Sequence, residues 1–177
     1  VDVLLVAIHN NIINQYKEIV NNTGLESKFF EIEVFSAMRA ILEGVNLPVM
    51  IFDMGASATK LYIIERGLVL ASHTVNRGSQ EITANIKRIL NVDTEEAEVI
   101  KRSVGMGHTS SGIELKEAVT TIADSIFNDA NRFLFEYQKK TNQNVKRIYL
   151  TGGGSAMKGF KDLVSENFKV EVVSGNP

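Results

Sequence analysis

The residues best suited to chemistry fall in three short clusters. The first is Asp53-x-Gly55-x-Ser57-x-Thr59. Between two paired strands, such a turn lets successive backbone N–H groups point into one concavity, which suits a phosphate. Gly55 admits close approach where a side chain would collide with the ligand. A carboxylate at Asp53 is placed to hold a hydrated Mg²⁺, which keeps several waters and takes few protein carboxylates. The same residues also make an ordinary Asp-x-Gly β-turn with a solvated Asp.

The second cluster is Thr151-Gly152-Gly153-Gly154-Ser155, which follows the apolar run Ile148-Tyr149-Leu150. Three consecutive glycines are entropically costly. They suit a ligand lying flat against the backbone, or else a flexible strand-to-helix connection. The third is Ala97-Glu98-x-x-Lys101. On a helix, residues three apart share a face, so Glu98 and Lys101 can address one ligand, such as a ribose or an adenine edge, or pair with each other on a solvated surface. His9, His73 and His108 are scattered, with no carboxylate or thiol at metal-ligand spacing, so no zinc site is read. No Gly-x-Ser-x-Gly elbow and no Walker loop is present.

The elements that must position these clusters can be read from periodicity. Val1 to Ile8 reads as a strand already under way, so the sequence reads as a segment of a longer protein. Ile12, Ile13, Tyr16, Ile19 and Val20 then recur at helical spacing, with Gly24 placed to end that helix. Phe30, Ile32 and Val34 alternate with Glu31 and Glu33, as in a half-buried strand. Ser36 is placed to cap a helix carrying Met38, Ile41 and Leu42. This order predicts a layered α/β architecture.

From Leu47 the pattern changes to three successive strands, expected to be antiparallel. Leu47 to Phe52 is apolar, Thr59 to Glu65 is the second, and Leu68 to Thr74 pairs back across an Arg66-Gly67 turn. Ser79 opens a helix with Ile82, Ile86 and Ile89 on one face. Asp93-Thr94-Glu95-Glu96 offers a capping box for the helix that carries Glu98 and Lys101. Gly105 to Gly112 has the composition of a mobile loop. Leu115, Val119, Ile122, Ile126, Phe133 and Tyr137 mark a long amphipathic helix. Val145 to Leu150 is a buried-type strand, followed by a short helix to about Phe168 and a last strand over Val170 to Val173.

Composition narrows the classes. Of the 177 residues, 44% are hydrophobic and 23% charged, which fits a folded domain rather than a disordered chain. The net charge of −2 gives no global field to attract nucleic acid or an anionic membrane. Cys is absent, which excludes disulfides and thiolate metal sites and suits the cytosol. No apolar run approaches the roughly 20 residues of a spanning helix.

Taken in order, the three clusters resemble motifs of the actin-like ATPase superfamily. Asp53-Met54-Gly55-Ala56-Ser57-Ala58-Thr59 resembles its second phosphate motif. Leu150-Thr151-Gly152-Gly153-Gly154-Ser155-Ala156-Met157-Lys158-Gly159-Phe160 resembles its adenosine motif, and Ala97-Glu98-x-x-Lys101 is similar to the adenosine-contacting helix of the FtsA and PilM branch. Within that branch, Glu33 to Ala40, Ile51 to Ala56 and Arg77-Gly78-Ser79-Gln80-Glu81-Ile82-Thr83 look like the PilM family of type IV pilus assembly proteins, with FtsA next.

The resemblance implies an actin-like (ribonuclease H-like) α/β fold, a mixed sheet with flanking helices. Residues 1–46 would be the later part of the first subdomain, and 47–177 the second, with a small helical insertion over about 79–144. It implies ATP with Mg²⁺, a nucleotide site comprising Asp53, Gly55, Ser57, Thr59, Glu98, Lys101, Gly152, Gly153, Gly154, Ser155 and Met157, and Asp53 beside the metal. The implied role is a cytoplasmic scaffold of pilus assembly that engages the cytoplasmic tail of a PilN-like inner-membrane protein, with self-association as a further possibility and no nucleic acid. Ala56 and Ala58 stand where many relatives hold Gly or Asp, and Lys60 where FtsA and the chaperones often keep an Asp, so turnover is expected to be slow at best. An FtsA-like division protein is the alternative, and a sugar or acid kinase of the same superfamily the more distant one.

Overall fold

The computed structural model describes residues 5, 7–42, 44–110 and 112–175. The chain divides into two compact units, Val1–Ser36 and Ala37–Pro177.

In the first unit, helix α1 (Asn10–Thr23) ends where Gly24 takes a left-handed φ of 70° and donates its N–H to Asn21 O. The strand expected at the opening falls mainly on residues 1–4 and 6, outside the described residues. The strand expected over Phe30 to Val34 is not formed. Residues 25–32 have no regular structure, and Glu33 and Val34 already lie in helix α2 (Glu33–Ile41). Alternation supplies a face but no neighbour, and without ladder bonds an isolated strand has nothing to satisfy its backbone. The start of α2 also moves Ser36 from the expected cap into the helix, where its hydroxyl donates to Glu33 O at 2.8 Å.

In the second unit, five strands form one mixed sheet: β1 (Val49–Met54), β2 (Thr59–Glu65), β3 (Leu68–Val75), β4 (Arg147–Thr151) and β5 (Glu171–Ser174), in the order β3-β2-β1-β4-β5. The expected antiparallel meander is present, since β1 pairs with β2 and β2 with β3 in that sense. Arg66 and Gly67 both take positive φ, 51° and 75°. That is the twist a two-residue hairpin requires. On the other side of β1, β4 and β5 add in parallel. A parallel neighbour needs a long crossover, and here it contains α3 (Ser79–Leu90), α4 (Thr94–Val104) and α5 (Lys116–Thr141).

One sheet face carries Met50, Phe52 and Met54 of β1, Leu61 and Ile63 of β2, and Ile148 and Leu150 of β4. These bury in one cluster with Val119, Ile126, Phe127 and Ala130 of α5 and with Phe160 and Val164 of α6 (Phe160–Phe168). The Phe127 ring lies 6.2 Å from Phe52, 6.1 Å from Phe160 and 5.4 Å from Phe168 between centroids. Both strands that lead to the candidate bends therefore stand on one aromatic core.

Candidate functional site

Asp53 and Thr151 are register partners across β1 and β4. Because those strands are parallel, the chain leaves both at the same sheet end, and the carboxylate bend and the glycine bend emerge side by side. In open α/β sheets this carboxyl end of the strands is where ligands collect.

The first bend is closed by the Gly55 N–H, which donates to Ala58 O at 3.0 Å. It is held from behind by the start of α3. Ser79 N–H donates to Gly55 O at 3.0 Å, and Gln80 N–H donates to Ala56 O at 2.9 Å. Gly78 makes this contact feasible, since a Cβ there would lie 2.4 Å from Ala56 O. Thr59 is fully buried and its hydroxyl donates to Arg77 O at 2.9 Å, so it builds the bend and does not face a ligand. Ser57 is exposed at the tip.

In the second bend each glycine has its own surroundings. Gly152 has φ 83°, and a Cβ there would lie 2.4 Å from Asp53 Oδ1 and 2.5 Å from Met54 O. Gly154 is buried, with a Cβ position 2.7 Å from Met54 Cγ. Gly153 faces open space. A 3₁₀ turn follows over Gly153–Ala156, and Ser155 Oγ donates to Gly152 O at 2.8 Å.

The third wall comes from α4. As expected, Asp93 caps it, accepting from Glu96 N–H at 2.8 Å. Its C-terminal end is fastened to the glycine bend: Met106 N–H donates to Lys158 O at 3.2 Å, and Lys158 Nζ donates to Ser103 O at 2.6 Å. Glu98 and Lys101 do pair, at 2.7 Å, yet not on a solvated surface, for Lys101 is only 6% exposed. Lys101 Nζ also donates to Thr83 Oγ1 at 2.9 Å and to Ser79 O at 3.3 Å. Glu98 accepts in addition from Thr83 Oγ1 at 2.7 Å and from Arg102 Nε at 3.0 Å. Burial pushes the Glu98 carboxyl up, but hydrogen bonds from Lys101, Thr83 and Arg102 outweigh it and hold the group at about 2.

A cavity of about 520 Å³ opens between these walls. Ala56 and Ser79 line it from the first bend and α3, Glu98, Lys101 and Arg102 from α4, and Gly153, Ala156 and Met157 from the glycine bend. Of the residues singled out in the sequence, Glu98, Lys101, Gly153 and Met157 therefore share one cavity. Gly55, Thr59, Gly152, Gly154 and Ser155 shape the two bends, and Asp53 stands against Gly152 outside the cavity lining. Ala56 and Ala156 lie within the two motifs and Ser79 opens α3, but neither they nor Arg102 had been assigned to the site. Gly78 before Ser79 was the available signal that α3 starts against the bend. A groove of about 550 Å³ between α5, the start of β4 and the end of α6 holds none of the motif residues.

Among the described residues no group of three His, Cys, Asp or Glu is placed to hold a metal, and no helix is long and apolar enough to cross a membrane. A lone carboxylate such as Asp53 fits Mg²⁺ only where phosphates and water fill the remaining positions.

Comparison with known proteins bears on the family and the fold. The family model for type IV pilus assembly protein PilM matches residues 1–177. Cell division protein FtsA from Buchnera aphidicola subsp. Baizongia pistaciae (strain Bp) is 24% identical over 202 residues, covering 98% of this chain and 48% of its own length. A PilM-PilN type IV pilus biogenesis complex superposes with a TM-score of 0.80 at 21% identity, covering 95% of this chain and 48% of that one. MreB 5 of Spiroplasma citri bound to AMPPNP superposes with a TM-score of 0.69 at 15% identity, covering 95% and 60%. The fold is therefore actin-like, and the chain spans about half the length of the first two relatives.

Proposed function

The chain belongs to the type IV pilus assembly protein PilM family, and from that premise we propose that it supplies the ATP-binding part of a scaffold in pilus assembly. In this reading residues 1–46 are the later part of a first actin-like subdomain, and 47–177 are the second, with its helical insertion over about 79–144. The Asp53–Thr59 bend receives the phosphates, with Mg²⁺ held by them and Asp53. Glu98 with its α4 neighbours, Gly153 and Met157 receive the adenosine. When bound, the metal would neutralise phosphate charge, while the chain's own part is to bind and orient.

The observation that carries the reading is the adjacency of the two bends. Asp53 and Thr151 pair across parallel strands, and Ala56, Gly153, Met157 and Glu98 open on one cavity. The neighbour bound to AMPPNP has the same fold, which supports a nucleotide ligand. The neighbour solved as a PilM-PilN complex supports a PilN-like partner, whose cytoplasmic tail would tether this protein to the inner membrane from the cytoplasm. An FtsA-like role is the less specific alternative, because the FtsA match is a distant one while the PilM family model spans the whole chain.

Titration of the 177-residue chain with Mg-ATP, followed by backbone amide NMR, tests the nucleotide site. Resonances of Ala56, Ser79, Gly153 and Met157 should move together with an apparent Kd of about 1 mM, roughly −4 kcal/mol, as suits a shallow cavity. Shifts confined to the Leu134–Phe168 groove, or none at millimolar ligand, would rule the assignment out.

A further inference from the structure

The groove of about 550 Å³ shares no lining residue with the cavity between the two bends. The chain enters β4 beside this groove and leaves β4 at the glycine bend, so the two hollows lie at opposite ends of that strand. The groove floor is apolar. Leu134 of α5, Phe168 at the end of α6 and Val170 before β5 are half-buried and pack against the core, while Phe135 stands on the wall with 64% of its surface exposed. A lone exposed phenylalanine is ordinary, but one that lines a groove floored by the core offers an apolar contact with nothing yet set against it.

The charged residues of the lining are Lys146 and Lys169, with no carboxylate among them. Neither lysine forms a salt bridge among the described residues. Glu171, two residues beyond Lys169, is held instead by Arg147, at 2.7 Å from Nε and 2.6 Å from Nη2. In a chain of net charge −2 this is a local patch of one sign, not a reflection of general basicity. Both lysines are fixed at the backbone: Lys146 N–H donates to Pro48 O at 2.9 Å and Lys169 N–H to Ser165 O at 3.0 Å. Lys169 closes α6 with a left-handed φ of 54°. Helices α1, α3 and α5 end in the same conformation on Gly24, Asn91 and Asn142, residue types that accept it readily. A lysine there carries backbone strain that glycine would avoid, so the helix end gives no reason for the ammonium.

We propose that this groove docks a short acidic segment of a partner protein, with one aromatic or branched aliphatic side chain anchored against Phe135 and Phe168 and carboxylates set on Lys146 and Lys169. The unpaired charge fixes the sign of the partner, and the concave apolar floor fixes the anchor. An anionic bilayer would call for a cluster of about four or more basic residues, and this concave lining has two. Two copies related by a two-fold axis through the groove would set these lysines beside their own mates, which is repulsive.

Selection from a random peptide library displayed on phage, against the 177-residue chain, identifies the ligand class. It should enrich sequences with several Asp or Glu around one Phe, Trp, Leu or Ile. Enrichment of basic or uncharged sequences, or none at all, overturns the proposal. An enriched peptide, synthesised and titrated with amide NMR, should move Phe135, Lys146 and Lys169 and leave Gly153 and Met157 in place. Its Kd should be on the order of 100 µM and weaken at least about threefold as ionic strength rises from about 0.05 to about 0.5 M. Shifts at the cavity instead of the groove, or no response to salt, overturn it too.

Two variants separate docking from folding. Lys169→Gly suits the left-handed backbone, so it should melt no lower than the unaltered chain yet bind the peptide at least about threefold more weakly. Phe135→Ala should weaken binding about tenfold with little change in melting. Full affinity in both variants counts decisively against the site. The chain alone should sediment as a monomer and ignore phosphatidylserine vesicles. A dimer that Phe135→Ala dissociates would assign the groove to a second copy, and vesicle binding lost in that variant would assign it to a membrane; either result overturns the proposal.

Discussion

A Cβ placed on Gly152 would lie 2.4 Å from Asp53 Oδ1, so the glycine bend and the carboxylate bend touch through a position that tolerates no side chain. Gly152 also has φ 83°, a backbone region that costs any L-residue. A Cβ on its neighbour Gly153 would meet nothing within 4 Å, and that glycine forms part of the cavity wall. Two adjacent glycines are thus held for different reasons, one by packing and backbone geometry and one by the space it leaves.

Gly152→Ala should destabilise the protein by about 2–4 kcal/mol, from strain plus steric displacement of Asp53 or Met54. Gly153→Ala should leave stability within about 1 kcal/mol and weaken Mg-ATP binding at least severalfold, because its methyl group enters the cavity. Thermal melts and the ATP titration, run on both variants, read the two effects separately. A Gly152→Ala protein that melts with the unaltered chain would remove the contact argument.

Acid should act through Glu98. Burial would raise its carboxyl above the ordinary 4.5, but Lys101, Thr83 and Arg102 together overcome that and hold it at about 2. A depressed folded value means the stabilisation is present above about pH 4.5 and is lost as pH falls toward 2. The side chain is 34% exposed, so solvent screening reduces the contribution to about 1–2 kcal/mol. In urea denaturation, the stability gap between the unaltered chain and Glu98→Gln should be of that size at pH 7 and close near pH 2. A gap that stays constant with pH would mean the charge is not what Glu98 contributes.

The core beneath the site sets a third expectation. Phe127 is 1% exposed and its ring is within 6.2 Å of those of Phe52, Phe160 and Phe168. Phe52 precedes Asp53, and Phe160 opens the helix that follows the glycine bend. Phe127→Ala should cost about 3–5 kcal/mol through lost burial and the cavity left behind. Phe135→Ala, on the same helix but 64% exposed, should change stability by no more than about 0.5 kcal/mol. Equal melting temperatures for the two variants would contradict this core.

Much of the second unit was legible because its punctuation is local. Arg66-Gly67 fixes the β2–β3 hairpin, and Asp93 sits three residues before the N–H it caps, so both turn on near neighbours in sequence. Phe30, Ile32 and Val34 misled because alternation specifies a face without naming a partner, and the described chain there has no strand to pair with. The state of Lys101 was illegible for a related reason. Glu98 and Lys101 read the same whether a helix face is wet or buried, and what buries Lys101 is Thr83 and Ser79, 18 and 22 residues earlier on another helix. Arg102 and Ser79 reached the cavity only through that docking of α4 and α3.

Hydrolysis should be negligible in this chain. A general base works best with a pKa near the operating pH, and Glu98, the carboxylate on the cavity wall, is ion-paired and held at about 2. Asp53 lies outside the wall, and Ala56 brings no polar side chain to it that could orient a water. Phosphate release from Mg-ATP should stay at or below roughly 10⁻³ s⁻¹, the range of nucleotidases working without an activating arginine, and Glu98→Gln should release it no more slowly. A phosphate-release assay over several hours measures both. Turnover well above that rate, abolished in Glu98→Gln, would make Glu98 a catalytic base and this chain an enzyme, contrary to a scaffold that binds ATP without consuming it.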